Sequence, residues 1–297
     1  MQITIITPVF NSEKNIANCI ENVNNQTYKN YEHIIIDGAS TDLTKSIILE
    51  KMKVYNNIKI ISEPDLGIYD AMNKGISLSK SKWIYFLGSD DFFIKDDVLQ
   101  KVSSYLTLYE NKIDIIYGNV FFKKLNRIFD GKFNIEKILK HNICHQAIFY
   151  NKNTFNKIGD FNLNYKISAD YEYNLRSILS GKIQIKYIPV DVTYFEENGI
   201  SSNTNDETFI KQFPILTITE TLDGKRNPIV KSYILFTILR KLLLRGKLKI
   251  TDYYHYKSKL ILYLILTITL SPFFLLIYIL RTVFFYIEDK YFLKTSC

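Results

Sequence analysis

The apolar run Trp83–Leu87 is followed by Gly88, Ser89 and two adjacent carboxylates, Asp90 and Asp91. Neighbouring like charges repel, and the end of a strand offers them little compensation. A divalent cation would remove the repulsion. Mg2+ and Mn2+ take oxygen ligands, usually one or two carboxylates completed by phosphate oxygens. The pair is therefore a candidate to hold such an ion and, through it, the diphosphate of a nucleotide. The competing reading is a solvated turn in which Asp91 or Asp97 caps the next helix. Other polar groups fall at matching places: Pro8 to Asn11 follow "ITIIT", Asp37 ends "HIIID", and Glu63 and Asp65 follow "IKIIS".

Elements that can position these groups are readable from periodicity. Ile3–Thr7, His33–Asp37, Ile58–Ser62 and the run from Trp83 are short, β-branched or aromatic strands. Between them lie helical patterns: "NSEKNIANCIENV", with Ser12 as its expected cap and Ile16, Cys19, Ile20 and Val23 on one face; "STDLTKSIILEKM"; and "IYDAMNKGISLSK". Strand and helix in alternation predict βαβ units, hence an α/β fold with a mostly parallel sheet and helices on both faces. In such sheets ligands bind outside the carboxyl ends of the strands, where the acids fall. From Asp114 the rhythm changes. "IDIIYGNVFF" and "HQAIFY" read as strands, Ser168–Ser180 as a helix, "KIQIKYIPVDVTYF" as the strand that ends the sheet, and Asn198–Asp206 as a loop. A dinucleotide G-x-G-x-x-G, a G-x-x-x-x-G-K-[ST] phosphate loop and the glycine-rich basic loop of nucleotidyltransferases are all missing after the first strand.

The chain of 297 residues has a formal net charge of +8, and ten Lys or Arg lie between Lys225 and Lys259. Directly after them Leu260–Leu280 carries no charge, long enough for a membrane span, with Ser271–Pro272 permitting a kink or a helical hairpin. Basic charge beside an apolar run points to an anionic membrane surface, and no nucleic-acid module is readable. The expected division is residues 1–222 as the catalytic domain and 223–297 as a basic, hydrophobic, membrane-associated region. Three widely spaced cysteines, Cys19, Cys144 and Cys297, read as reduced thiols, and "MQITIITPVF" reads as a strand and not a signal peptide. With the positive charge beside the span, this predicts a domain on the cytoplasmic face of a bacterial plasma membrane. The 22 Tyr and 20 Phe read as core and membrane edge before they read as a sugar platform.

The strings "TPVFN", "IIIDGASTD", "SEPDLGIYDAMNKGI", "FLGSDD", "HQAIFY" and "SADYEYNLR", in this order from Thr7 to Arg176, resemble the family 2 glycosyltransferases of GT-A fold. "EPDLGIYDAMNKG" is the most specific and resembles the branch that builds bacterial capsule, O-antigen and exopolysaccharide. The resemblance implies that Pro8 and Phe10 lie against the nucleoside and that Asp37 hydrogen-bonds the base, commonly uracil. It makes "GSDD" the counterpart of a D-x-D motif, with Asp91 the metal ligand and Asp90 facing ribose or donor sugar. Asp170 matches the family's base, and the implied reaction is inverting transfer from a nucleotide sugar with Mn2+ or Mg2+. A membrane-held enzyme of this kind suggests a lipid-linked glycan acceptor. The chain departs from the pattern at Ala169, where many members carry an acid, and at Gly88–Ser89, where relatives often have Asn and Ala or Ser.

Other residues carry two readings each. His145 either contacts diphosphate, metal or acceptor, or packs at a strand start. Asp70 and Asn73 either contact the donor or cap and brace, with donor contact preferred. Gly67 supplies a tight turn near the nucleotide. His141 and His255 read as structural. The alternatives to a glycosyltransferase are a nucleotidyltransferase using the same acidic crevice and a non-catalytic membrane scaffold.

Overall fold

The structure is a computed structural model that describes residues 2–122, 126–129, 131–195 and 206–244. Strands β1 (Ile3–Val9), β2 (Tyr31–Asp37), β3 (Ile58–Ser62) and β4 (Trp83–Phe86) lie parallel in the order β3-β2-β1-β4. Every position of β1, β2 and β4 is buried. Covered on both faces, these strands need apolar residues at consecutive positions, as the sequence has. Alternation then sorts the side chains. Ile3 and Ile5 join Cys19 and Val23 of α1 (Ile16–Asn25), while Ile6 packs against Gly75 of α3 (Ile68–Leu78). Helices α2 (Thr44–Val54) and α4 (Val98–Leu108) complete the crossovers.

The second half of the sheet is mixed, which corrects the expectation of a mostly parallel one. β8 (Ile148–Asn151) inserts between β4 and β6 (Ile115–Phe122) and runs antiparallel to both. Beyond β6 come β9 (Ile185–Phe195), parallel to it, and β5 (Phe92–Phe93), antiparallel at the edge. β5, and not β9, ends the sheet; two residues are too few for a readable period. β7 (Arg127–Phe129) pairs back on β6 as a hairpin. The reversal at β8 matters for function. An antiparallel strand begins where its parallel neighbours end, so the residues before Ile148 lie beside the loop after β4. Those residues form a 3-10 turn, His145–Ala147, where a strand start was expected.

Short helices α5 (Ile135–Ile138) and α6 (Asn153–Ile158) precede α7 (Ala169–Leu179). Phe86, Tyr150, Phe155, Phe161 and Tyr173 form a ring cluster with centroids 5.0 to 6.3 Å apart. This is the core use of the aromatic residues. It also anchors α7, and with it Asp170, to β4 and β8.

Gly118 marks a close approach between β6 and β9. A Cβ there would stand 2.3 Å from the carbonyl oxygen of Val190 and 2.9 Å from Cγ2 of Val192, beside the register break between β6 and β9. Backbone cannot yield cheaply, so Gly118→Ala is expected to cost roughly 3 kcal/mol. A fall in the urea midpoint at unchanged slope checks this.

His33 on β2 is fully buried, with Nε2 2.8 Å from Oγ1 of Thr7 and Nδ1 without a partner among the described residues. Burial pushes its pKa from 6.5 down to about 3. Between those values the unfolded chain binds the extra proton, so stability is lost as pH falls below about 6.5. At pH 5 the loss is expected to be about 2 kcal/mol. Urea unfolding of wild type and His33→Gln at pH 7 and pH 5 checks it: the variant should lose less stability over that interval.

The chain divides into two compact units, Met1–Phe213 and Pro214–Cys297. The division falls within α8 (Glu207–Asp223), which has Pro214 in its interior. In the second unit α9 (Pro228–Leu244) buries Ile234, Leu235 and Ile238. Among the described residues no helix is long and apolar enough to cross a membrane. The expected membrane run 260–280 lies outside the described residues, as does the expected loop apart from Asp206.

Candidate active site

All four parallel strands deliver their carboxyl ends to one edge. At β1, Pro8 is buried within the strand, while Phe10 beyond it is 62% exposed. Asn11 takes a left-handed φ of 47° and locks this loop to the one after β2: its N–H donates to Oγ of Ser40 (2.9 Å), and its Oδ1 accepts from the Thr41 N–H (2.9 Å). Ser12 does not cap α1 with its side chain. Its hydroxyl pairs with that of Ser89 at 2.8 Å, tying the β1 loop to the acidic loop, and its carbonyl receives the N–H groups of Asn15 and Ile16.

Asp37 is fully buried at the end of β2. Oδ1 accepts from both the N–H and the hydroxyl of Ser40, and Oδ2 accepts from Ser62 Oγ at 2.7 Å. A carboxylate offers about four lone-pair sites; three are taken, leaving room for one further donor.

Gly67 sits at φ 117°, a conformation that favours glycine, and starts α3. Its N–H donates to Oδ1 of Asp65 at 2.9 Å. Oδ2 of Asp70 accepts from the Leu66 N–H at 3.0 Å and faces Lys74 at 3.5 Å. The amide of Asn73 makes a two-way bond with the backbone of Phe161, donating at 3.0 Å and accepting at 3.1 Å. Both residues thus brace the structure, the second of the two readings the sequence offered for them. Asp70 Oδ2 holds the turn before α3, and the Asn73 amide holds the loop before α7.

The acid pair folds back over Gly88. A Cβ there would stand 2.7 Å from Oδ2 of Asp91 and 3.0 Å from Oδ1 of Asp90, so the two carboxylates converge on the space that glycine leaves. Asp90 is exposed; Asp91 is 4% exposed and accepts from Nε2 of Gln146 at 3.0 Å. Burial first, and then the charge of Asp90, push the Asp91 carboxyl from 3.8 up to about 6. Two converging carboxylates suit a hard divalent cation whose remaining positions go to phosphate and water. Among the described residues no group of three or more His, Cys, Asp or Glu is arranged to hold an ion by itself.

Asp170 stands in the first turn of α7. Oδ1 meets the Tyr69 hydroxyl at 2.8 Å, and Oδ2 accepts from Nδ2 of Asn142 at 2.7 Å. Nδ1 of His145 lies 3.6 Å from Oδ2, an ion-pair distance beyond hydrogen-bond reach. Burial opposes a charged His145 ring, yet Asp170, Asp91 and Asp90 outweigh it and raise its pKa above the usual histidine value. His145 and Gln146 are consecutive residues of one 3-10 turn. One faces Asp170 and the other binds Asp91, so the turn joins two acids far apart in sequence. The backbone of that turn is itself held, with the Gln146 carbonyl receiving the hydroxyls of Tyr85 (2.7 Å) and Thr193 (2.8 Å).

Three residues of this constellation were not singled out from sequence: Tyr69, Asn142 and Gln146. Tyr69 lies inside the most specific string, and Gln146 follows His145 directly. Asn142 had no signal, because its role depends on a loop meeting α7.

A mixed sheet of this order, with an acidic loop where its parallel strands end, defines a GT-A-like sugar-transfer fold. The profile of glycosyl transferase family 2 matches residues 4–174, more than half of the chain. The "PGL/p-HBAD biosynthesis glycosyltransferase" of Mycobacterium bovis is 35% identical over 217 residues, 72% of this chain and 84% of that one. S. aureus TarS 1-349, solved in complex with UDP-GlcNAc, superposes with a TM-score of 0.68 at 18% identity, covering 82% of this chain and 72% of that one. The mannosyltransferase PcManGT of Pyrobaculum calidifontis, solved with GDP-Man and Mn2+, gives 0.57 at 14% identity, covering 92% and 85%. The chain belongs to glycosyl transferase family 2 and is a glycosyltransferase, which sets aside the nucleotidyltransferase and scaffold alternatives.

Proposed function

We propose that this enzyme transfers a sugar, with inversion, from a nucleotide-sugar donor, expected to be UDP-linked, to a growing surface glycan on a lipid-linked acceptor. The observation that carries the reading is the His145–Gln146 turn, which sets Asp170 and the Asp90–Asp91 pair at one strand edge. Asp91 is assigned to a Mn2+ or Mg2+ ion, which when bound would neutralise the departing diphosphate, and Asp90 beside it to the ribose or donor sugar. Pro8 and Phe10 are assigned to the nucleoside face and Asp37, with its one open lone-pair site, to the base. Gly67 shapes the turn beside them. Asp170 takes the proton from the acceptor hydroxyl as that oxygen attacks. His145 stands ready to meet the diphosphate or the acceptor. The UDP-GlcNAc and GDP-Man complexes of the structural neighbours support a nucleotide-sugar donor.

The test is nucleoside diphosphate release by membranes containing the full chain, with a panel of UDP, GDP and dTDP sugars and Mn2+ or Mg2+. One donor should turn over, and EDTA should stop it. Absence of both turnover and metal-dependent nucleotide binding across the panel would overturn the reading.

Membrane attachment through residues 223–297, on the cytoplasmic face, is the second part of the proposal. It rests on the ten basic residues between Lys225 and Lys259 and the uncharged run after them. Flotation with vesicles of anionic phospholipid checks it. Full activity on a soluble sugar without lipid would argue against a lipid-linked acceptor.

A further inference from the structure

The Tyr69 hydroxyl has one proton and two neighbours: the carbonyl oxygen of Ile167 at 2.7 Å and Oδ1 of Asp170 at 2.8 Å. Both are acceptors while Asp170 is ionised, so one contact lacks a proton. With a proton on Oδ1 of Asp170, both contacts become hydrogen bonds: Oδ1–H donates to Tyr69 Oη, and Oη–H donates to the Ile167 carbonyl. The other carboxylate oxygen has no such freedom. Asn174 Nδ2 donates to Oδ1 of Asn142 at 2.8 Å, which orients the Asn142 amide so that its NH2 faces Oδ2 of Asp170. The Ile167 carbonyl is also held, because Oδ2 of Asp206 accepts from the N–H groups of Ile167 (3.1 Å) and Ser168 (3.3 Å).

We infer that Tyr69 is a positioning residue for proton transfer, a hydroxyl that donates to Asp170 before sugar transfer and turns to accept from it afterwards. The inference rests on the reading of Asp170 as general base. In the step, the acceptor oxygen bonds to the anomeric carbon while the bond from that carbon to the diphosphate breaks. The nucleoside diphosphate leaves with the electron pair, and the acceptor's proton passes to Asp170. The Tyr69 proton stays in place: burial, and then the charge of Asp170, hold its pKa well above the usual phenol value. The other groups facing Asp170 are His145 and Cys144 before β8, Tyr150 on β8, and Asp90 and Asp91 beyond His145. On its own helix, Glu172 and Arg176 are paired with each other.

Proton counting makes a test without substrate. An amide at position 170 satisfies both Tyr69 contacts, so Asp170→Asn should raise the Tm of the full chain by at least about 2 °C. In a Tyr69→Phe background the same change should raise it by less than half as much, which a calorimetric double-mutant cycle reads directly. With the donor that turns over in the panel, Tyr69→Phe should lower kcat about 10- to 100-fold at unchanged donor KM. The acid limb of its rate profile should move to lower pH, because the protonated base loses the acceptor that Tyr69 offers it. If Tyr69→Phe does not fold, a ring-difluorinated tyrosine at the same position, a better donor and poorer acceptor, should move that limb to lower pH. Additive Tm changes with an unmoved acid limb overturn the role of Tyr69. Undiminished turnover by Asp170→Asn overturns instead the base reading beneath it.

Discussion

Asp91→Asn is expected to make the protein more stable and inactive at once. Burial and the neighbouring charge of Asp90 raise the Asp91 carboxyl to about 6, so the folded state carries a penalty at neutral pH. A shift from 3.8 to about 6 corresponds to roughly 3 kcal/mol. The amide removes the charge and can still accept from Gln146 Nε2, so about half of this should be recovered, a rise in Tm of about 3–6 °C. The sign follows from the raised carboxyl: stability is lost as pH rises through the window between the two values. The gain should therefore be full at pH 8 and fade towards pH 4. Turnover should fall at least about 100-fold, since several kcal/mol of charge stabilisation go with the ion. Calorimetry with and without Mn2+ separates the two effects: the ion should stabilise wild type and leave the variant unmoved. A variant that melts below wild type at pH 8 would show that Asp91 is not held against its charge.

Asp170→Asn is expected to lower kcat by about 10²- to 10⁴-fold while leaving metal-dependent UDP binding intact. The geometry makes this a clean substitution. The new amide oxygen can accept from Asn142 Nδ2, and the new amide NH2 can donate to Tyr69 Oη, which then donates to Ile167. The three hydrogen bonds are kept and only the ion pair with His145 is lost, so lost activity with UDP binding retained would report the missing base and not a disturbed fold. Calorimetric titration with UDP and Mn2+ beside the turnover assay checks both halves. UDP binding weakened as much as turnover would instead place Asp170 in the nucleotide site.

How much of this was legible in advance depends on the range of the forces involved. The parallel half of the sheet could be read because its strands are buried on both faces, so an apolar run is both necessary and visible. The acids at its edge could be read for the same reason: a charged pair after such a run has no place in the core. Gly67 was legible as a turn residue, and the structure gives it a φ of 117°. The internal contacts of Asp70 and Asn73 were not legible, because a polar residue on a helix face looks the same whether it meets a ligand or a neighbouring loop. The Phe161 backbone that takes up Asn73 lies 88 residues away.

By itself the sequence determined the alternation of strand and helix and the acidic edge, because these are local patterns of burial and charge, while its strings carried the resemblance to the family. The tertiary structure decided what those groups do to one another. β8 runs antiparallel to β4, so its first turn lands beside the acidic loop, and consecutive residues His145 and Gln146 reach Asp170 and Asp91. The aromatic cluster seats α7 so that Asp170 meets Tyr69 and Asn142. Strand direction and helix seating come from long-range packing, in which each contact joins residues that no local pattern links.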